Sequence, residues 1–534
     1  MKKTSKNTSI SIFDSTLRDG AQAEGISFSV EDKIKITRAL DELGVAYIEA
    51  GNPGSNPKDL EFFQTVRGMK LKHAALTAFG STRRPEVTPE EDENIHNLVL
   101  AETPVVAIFG KSWDFHVTEI INTTLEENLR MIQDTMVYFK SIGKEVIYDA
   151  EHFFDGYKNN QDYAMETLRA AKAGGADWIV LCETNGGAFP QEVYDATVHA
   201  VKEIGGKIGV HCHNDGGMAV ANTIMGVEAG ATQVQGTYIG FGERCGNVNL
   251  STVIANLQAK KKITCIPEEK LKELTPTARY IAEISNVGFN EREPFIGNSA
   301  FAHKGGMHID GVHKNVASFE HMDPERIGNK RRFLMSEVAG RSTVLNKIRK
   351  VNPNIRKDSE ETRQIIEKLK QLEHEGYQFE GAESSFELVI RKTLGKYKPF
   401  FTLDHYKIMD EQLPDGTHTS TAILKIRVDG KEEVTAAEGN GPVNAMDKAL
   451  RKAIEAFYPE LKEVYLADYK VRVLDTRAAT ASKVRVLIES TDGRYVWSTV
   501  GVSSDIIQAS WLALVDSIEY KLLKNIEEKA SAYI

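Results

Sequence analysis

The chain has 534 residues, more than one compact domain holds, so its length predicts several folded units. Hydrophobic residues make up 41% of the chain and charged residues 27%, which supplies buried cores and excludes collagenous and wholly disordered proteins. The formal net charge of −10 provides no global positive field, so we expect neither nucleic acid nor a membrane surface as a partner.

The cysteine content and the apolar runs indicate the cellular setting. Only four cysteines occur, which argues against a disulfide scaffold and predicts a reducing, cytoplasmic location. No run approaches the roughly 18 apolar residues of a membrane helix, and the polar residues before Asp14 do not resemble the core of a signal peptide. We therefore expect a cytoplasmic protein.

Eight β-rich runs recur early in the chain, and segments with helical spacing of apolar residues separate them. The runs are residues 9–15, 46–51, 73–80, 105–110, 145–151, 178–183, 207–213 and 232–239. Residues 30–43 and 125–142 are two of the predicted helices. This alternation predicts an α/β fold with a parallel sheet, and eight units favour a closed (β/α)₈ TIM barrel over residues 1–265.

An open nucleotide-binding sheet is the alternative to the barrel. It predicts a G-x-G-x-x-G motif just after an early strand. Gly240, Gly242 and Gly246 instead follow the last run with the wrong spacing. The closed barrel is therefore the better prediction.

The rest of the chain predicts two further parts. Residues 266–379 read as a helical linker subdomain, with helices over 270–284 and 360–374. In residues 380–534 two strands, an Asp-Gly turn between them and a helix occur twice, with the turns at Asp429 and Asp492 lying 63 residues apart. We expect a C-terminal α+β regulatory domain with duplicated ββα units, suited to dimerisation or ligand sensing.

Two histidines indicate a metal site. His211 and His213 lie two residues apart in the seventh run, so both imidazoles face the same side of a strand. With Asp19, which follows the first run, they form a set of two histidines and one carboxylate that leaves coordination positions open for substrate. Asn247 can add an oxygen ligand. Ordinary hydrogen-bonded strand histidines are the alternative.

Other polar residues at the predicted strand ends suit an anionic substrate. Arg18 offers a planar fork of donors to a carboxylate or a developing oxyanion, and a salt bridge with Glu49 or Glu151 is the alternative. Thr184 can donate a hydrogen bond to a bound carboxylate or cap a helix. These side chains predict a substrate site at the carboxyl end of the barrel.

His308 lies in a glycine-rich stretch, residues 303–311, outside the barrel repeat. Glycines beside a titratable imidazole are typical of a part that closes over a site and carries a general acid or base. From the residues alone, a solvated loop histidine is the favoured interpretation.

Three segments carry a family resemblance: STLRDG at residues 15–20, HCHND at 211–215 and GERCGN at 242–247. They resemble the signatures of the α-isopropylmalate, homocitrate and citramalate synthase group. The resemblance covers essentially the whole chain, because HIDG at residues 308–311 and the duplicated tail are similar to the group's subdomain and regulatory domain. Residues 52–59, NPGSNPKD, resemble the citramalate synthase branch.

The resemblance implies an acyltransferase of branched-chain amino acid biosynthesis. The implied reaction is a Claisen-type condensation of acetyl-CoA, the co-substrate, with pyruvate, followed by thioester hydrolysis to (R)-citramalate for isoleucine synthesis. The tail is implied to bind isoleucine or leucine as an inhibitor at the interface of a homodimer. The nearest alternative is a 2-isopropylmalate synthase acting on 2-oxoisovalerate in leucine biosynthesis.

The resemblance also implies roles for individual residues. The implied ligands of a divalent metal ion (manganese, zinc or magnesium) are Asp19, His211 and His213, with Asn247 nearby. Arg18 and Thr184 are implied to bind the 2-oxo acid, and Arg18, Glu151 and His308 to take part in catalysis. His308 is the candidate base for the acetyl methyl group. Residues 329–332 lack the tyrosine that pairs with this histidine in some isopropylmalate synthases.

Three more distant functions also fit parts of the pattern. A lyase acting on a 3-hydroxyacyl-CoA cleaves a carbon–carbon bond of the kind that a synthase forms. A ferrous oxygenase uses two histidines and one carboxylate, although eight βα units do not favour it. An amino-acid sensor with an inactive barrel is the non-enzymatic alternative.

Overall fold

The computed structural model describes residues 9–285, 287–333, 348–349, 355–356, 359–379, 382–412, 414, 416–474, 482–493 and 495–531. The chain divides into two compact units. The first comprises the chain up to Phe301 together with Glu320–Arg331, and the second comprises Ala302–Phe319 together with the chain from Arg332 onward. The domain boundaries expected at residues 265 and 379 stay predictions. Within the described ranges, no helix combines the length and the apolar character that crossing a bilayer requires.

The first unit contains a closed barrel of eight parallel strands, which confirms the prediction from the repeated β-rich runs. The strands are β1 Ser11–Asp14, β2 Tyr47–Glu49, β3 Ala75–Ser81, β4 Val105–Lys111, β5 Glu145–Glu151, β6 Trp178–Glu183, β7 Ile208–Cys212 and β8 Gln233–Gly236. They pair in chain order, and β8 closes on β1 with Gln233 opposite Ser11. Every strand overlaps its predicted run, and β5 and β6 have the predicted bounds.

Helices follow the strands. They are α1 Val30–Leu43, α2 Pro57–Thr65, α3 Glu93–Leu100, α4 Leu125–Ser141, α5 Phe153–Asn159, α6 Gln161–Ala173, α7 Pro190–Ile204, α8 Ala219–Glu228, α9 Leu250–Ile254 and α10 Leu274–Ile284. Helix α1 begins at a capping box in which Ser29 and Asp32 satisfy each other's amides, and it ends at Gly44, whose φ of 95° suits glycine. Local signals therefore set its bounds, which match the prediction.

Strand alternation separates the inside of the barrel from its outer layer. On β5, Val146 and Tyr148 pack in the layer between strands and helices, while Ile147 belongs to the small cluster inside the barrel. Successive side chains of a strand point to opposite faces, so Asp149 shares the inner face with Ile147. The same rule places His211 on the inner face of β7, because its neighbour Cys212 packs in the outer layer.

The second unit contains two three-stranded antiparallel sheets, ordered β11-β12-β13 and β14-β15-β16, and a short parallel pair, β9 with β10. Its strands are β9 Ala302–His303, β10 Arg332–Phe333, β11 Thr402–Gln412, β12 His418–Val428, β13 Lys431–Gly439, β14 Tyr465–Val473, β15 Val484–Thr491 and β16 Val496–Ser503. Its described helices include α11 Gly306–Lys314, α12 Glu360–Glu375, α13 Glu383–Thr393, α14 Pro442–Ile454 and α15 Ile506–Ser531.

The duplicated units of the tail are larger than the sequence predicts. Each contains the expected two strands and helix, and each has an additional strand before them, β11 or β14, so the repeat is βββα. These two strands lie at sheet edges and expose most of their side chains. They therefore lack the alternation of buried and exposed residues by which a strand is recognised in sequence.

Candidate active site

The turn after β1 positions two neighbouring functional side chains. Its backbone folds onto Ser15, whose hydroxyl oxygen accepts the amide hydrogen of Asp19 at 3.2 Å and whose carbonyl accepts that of Gly20 at 3.0 Å. The turn presents Arg18 and Asp19 at the carboxyl end of the barrel, where the active sites of such barrels lie.

The structure brings the predicted metal ligands together. Asp19 Oδ2 lies 3.4 Å from His211 Nε2 and 3.8 Å from His213 Nε2. The three ligand atoms lie within 4.8 Å of one another, and among the described residues this is the cluster of histidines, cysteines and carboxylates that suits a metal ion. All three residues are buried. Two imidazole nitrogens and a carboxylate suit zinc or manganese and leave positions open for substrate.

Asn247 supports this assignment of a cation site. Its backbone forms an isolated antiparallel β-bridge with that of His213, and the residue is buried. Its side-chain oxygen Oδ1 is buried and has no hydrogen-bond partner among the described protein atoms. A buried acceptor without a partner costs about 1–3 kcal/mol, and an oxygen ligand to a cation removes that cost. The donor set therefore fits a divalent metal ion.

The charges in the cluster also favour a cation. Burial alone raises the pKa of Asp19, but Arg18 and the two imidazoles outweigh it and hold this pKa well below its usual range. Burial, aided by the neighbouring His211, lowers the pKa of His213 to about 4. At neutral pH Asp19 is therefore ionised and His213 is neutral, which are the forms that bind metals, whereas Asp19 outweighs burial and raises the pKa of His211, so a cation competes with a proton for that ring.

Arg18 is held rigidly at the mouth of the barrel. Its Nε donates to Glu49 Oε2 at 2.7 Å, and its Nη1 lies 3.4 Å from Asp19 Oδ2. The guanidinium carbon lies 3.7 Å from the centroid of the Phe79 ring, so the cation stacks on the aromatic face. The salt bridge with Glu49 that sequence offered as an alternative is thus present, and it orients Arg18.

A cavity of about 240 Å³ opens beside Arg18. Its lining includes Gln22, Phe28, Asn52 and Asn56. Asn52 and Asn56 come from the segment whose sequence resembles the citramalate synthase branch. The cavity therefore joins Arg18 to the loop that follows β2.

Thr184 and Glu151 lie at the ends of neighbouring strands. The Thr184 hydroxyl oxygen accepts the amide hydrogen of His152 at 3.0 Å, so its own hydrogen can still be donated to a ligand. Glu151 pairs with Lys111 at the ends of β5 and β4. The structure places Thr184 after a strand and not at the start of a helix, so the helix-cap alternative is wrong.

His308 differs from its predicted setting. It belongs to the second unit, whereas the other predicted site residues belong to the first. The glycine-rich stretch around it forms helix α11 and not a loop, because Ile309 and Val312, three residues apart, are both buried along one side. The exposed imidazole of His308 stacks on Phe319, with ring centroids 4.2 Å apart and an interplanar angle of 20°.

Sequence reasoning assigned no role to several residues of the site. Gln235 on β8 bonds to His211, Asp149 on β5 bonds to Gln235, and Arg244 contacts His213. The signal that could have found the first two is polarity at inward positions of strands whose outward positions are apolar. Arg244 follows β8, and nothing local to it predicts contact with His213.

Three protein families match successive segments that together cover most of the chain. The HMGL-like family matches residues 9–281, the homocitrate synthase post-HMGL domain-like family matches 295–377, and the LeuA allosteric (dimerisation) domain matches 380–522. An (R)-citramalate synthase of Aquifex aeolicus is 53% identical over 97% of this chain and 98% of its own length.

Two further relatives show how identity differs between two groups of synthases. An (R)-citramalate synthase of Geobacter sulfurreducens is 51% identical over 98% of this chain and 99% of its own. A probable 2-isopropylmalate synthase of Methanopyrus kandleri is 32% identical over 95% and 97%. The chain therefore belongs to the HMGL-like family and, within it, to the group of (R)-citramalate synthases.

Proposed function

We propose that the protein condenses acetyl-CoA with pyruvate and hydrolyses the product thioester, giving (R)-citramalate and coenzyme A. The observation that carries this proposal is an identity of 43–53% to five (R)-citramalate synthases over nearly the full chain. Probable 2-isopropylmalate synthases match at 29–32%. Pyruvate is therefore the proposed acceptor and 2-oxoisovalerate the alternative.

Arg18 and Thr184 bind the carboxylate of the acceptor in this proposal. The Arg18 guanidinium is fixed by Glu49 and by the face of Phe79, so it offers its remaining donors in one orientation. Thr184 keeps a hydroxyl hydrogen to donate. Two fixed donor groups orient the keto carbon for attack.

Asp19, His211, His213 and Asn247 would hold a divalent metal ion. Such an ion, when bound, polarises the keto group and stabilises negative charge on its oxygen. The positive charge of Arg18, 3.4 Å from Asp19, adds to that stabilisation. The native ion is manganese, zinc or magnesium in this proposal.

The proton chemistry needs a base for the acetyl methyl group, and we assign it to His308. The methyl carbon loses a proton and forms a bond to the keto carbon of pyruvate, whose oxygen takes up the electron pair and then a proton. Water attacks the thioester carbonyl, and the carbon–sulfur bond breaks to release the thiol of coenzyme A. Glu151, paired with Lys111, positions polar groups at the strand ends.

A panel of 2-oxo acids tests the acceptor assignment. Release of coenzyme A from acetyl-CoA is followed with a thiol reagent for pyruvate and for 2-oxoisovalerate. We expect the larger kcat/KM for pyruvate, and pocket size limits the preference to a factor that corresponds to about 1–3 kcal/mol. A larger kcat/KM for 2-oxoisovalerate would overturn the assignment in favour of 2-isopropylmalate synthase.

We also propose that the C-terminal region forms a homodimer and binds isoleucine or leucine as a feedback inhibitor. The match of residues 380–522 to the LeuA allosteric (dimerisation) domain supports this. Light scattering of the full chain should give twice the monomer mass. Inhibition by neither amino acid at millimolar concentration would refute the regulatory assignment.

A further inference from the structure

A chain of hydrogen bonds lies behind the imidazole of His211. His211 Nδ1 lies 3.1 Å from Gln235 Oε1, and Gln235 Nε2 donates to Asp149 Oδ1 at 3.0 Å. The three residues come from barrel strands β7, β8 and β5 and are 5%, 1% and 4% exposed. Burying polar groups this deeply costs free energy unless they form hydrogen bonds. These contacts satisfy the three side chains and hold them in one arrangement.

The neighbours of Gln235 determine which way its amide points. Its Nε2 faces two oxygens, Asp149 Oδ1 at 3.0 Å and Gln233 Oε1 at 3.4 Å. An amide nitrogen donates and a carboxylate oxygen accepts, so the nitrogen belongs on the side of Asp149. Gln235 Oε1 therefore faces His211 and must accept a hydrogen from Nδ1.

This acceptor selects one form of the imidazole. A neutral histidine carries one ring hydrogen, and a hydrogen on Nδ1 leaves the lone pair on Nε2. Nε2 of His211 is the atom that lies 3.4 Å from Asp19 Oδ2. The lone pair thus points into the cluster of candidate metal ligands.

His213 has a different environment at the same ring position. Its Nδ1 lies 3.2 Å from Nη2 of Arg244, and a guanidinium group has no lone pair with which to accept. The contact that selects the Nδ1-protonated form therefore belongs to His211 and is not a general property of the site.

We propose that Gln235 and Asp149 are positioning residues that hold His211 with its hydrogen on Nδ1 and thereby prepare Nε2 to bind a divalent cation. Asp149 fixes the amide of Gln235, and Gln235 fixes the ring of His211. The proposal rests on the metal site assigned under the proposed function. Partners of this kind behind a ligating histidine are typically responsible for a factor of 10–100 in metal affinity.

Titration of the full-length protein with Mn²⁺ tests the proposal without reference to turnover. The protein is stripped with a chelator, Mn²⁺ is added, and the free ion is measured by electron paramagnetic resonance. Gln235→Leu removes the acceptor, and we expect it to weaken Mn²⁺ binding by about 10–100-fold. Gln235→Glu retains an oxygen toward Nδ1 and can share one proton with Asp149, so we expect its affinity to stay within about threefold of the parent.

Gln258→Leu is the matched control, because Gln258 is also buried, at 4% exposed, and its amide bonds to Cys265, Ile266 and Glu268 and to no residue of the His211 chain. We expect its Mn²⁺ affinity to stay within about twofold of the parent. If Gln235→Leu does not fold, Gln235→Met fills a similar volume and offers only a weak acceptor.

The outcomes separate the two levels of the assignment. A Gln235→Leu affinity equal to that of the parent, or equal losses in the Leu and Glu variants, would overturn the positioning role while leaving the metal site intact. Failure of the parent itself to bind Mn²⁺, with His211→Ala indistinguishable from it, would overturn the metal site instead.

Discussion

Replacing Glu49 by glutamine weakens the interaction that orients the Arg18 guanidinium, with almost no change in side-chain shape. Glu49 is 0% exposed, and its Oε2 accepts a hydrogen from Arg18 Nε at 2.7 Å and another from the Ser15 hydroxyl. Hydrogen bonds to charged groups contribute about 1.5–3 kcal/mol, against about 0.5–1.5 kcal/mol for neutral pairs. Glutamine keeps the oxygen and loses the charge. We therefore expect pyruvate binding to weaken by about 1.5 kcal/mol, which corresponds to about tenfold in affinity.

The loss should appear in KM for pyruvate more than in kcat, because a carboxylate bound by Arg18 is held in both the ground state and the transition state. Initial rates of coenzyme A release across a range of pyruvate concentrations measure both constants. Glu145→Gln is the control. Glu145 accepts a hydrogen bond from the Tyr47 hydroxyl at 2.7 Å and lies at the start of β5, at the opposite end of the strand from the candidate active site. If KM stayed within twofold in Glu49→Gln but rose tenfold or more in Arg18→Lys, Glu49 would not be what orients the guanidinium.

Three further substitutions test other parts of the molecule. His211→Ala should abolish Mn²⁺ binding and lower turnover by at least about 100-fold, and unchanged turnover would remove the metal role. A Cβ at Gly311 would lie 2.4 Å from Phe319 Cε2, so Gly311→Ala should displace the ring that stacks on His308 and lower kcat, with circular dichroism unchanged as the check on folding. Burial raises the pKa of Glu519 to about 7 from its usual 4.5, so this group's contribution to stability is fully present below pH 4.5 and is lost as the pH rises to about 7. The melting temperature of Glu519→Gln should therefore depend less on pH over that range than that of the parent, and equal slopes would contradict the assignment.

Local pattern alone determined most of the barrel. The bounds of β5 and β6 are as predicted, and α1 begins and ends at the residues that its caps indicate. The common face of His211 and His213 was also readable, because the two-residue period of a strand is a property of neighbouring residues. Such features are decided within a few residues of the chain, so no knowledge of distant contacts is needed to find them.

Tertiary structure alone decided which distant residues meet. Asp19 approaches His211 only because β8 closes on β1 and brings the first and seventh strand ends to one mouth. Glu49 behind Arg18 and Gln235 behind His211 depend instead on the pairing of neighbouring strands, β1 with β2 and β7 with β8. The edge strands β11 and β14 were missed for a related reason: their hydrogen bonds to a neighbour define them, while their exposed side chains leave no periodic trace in the sequence.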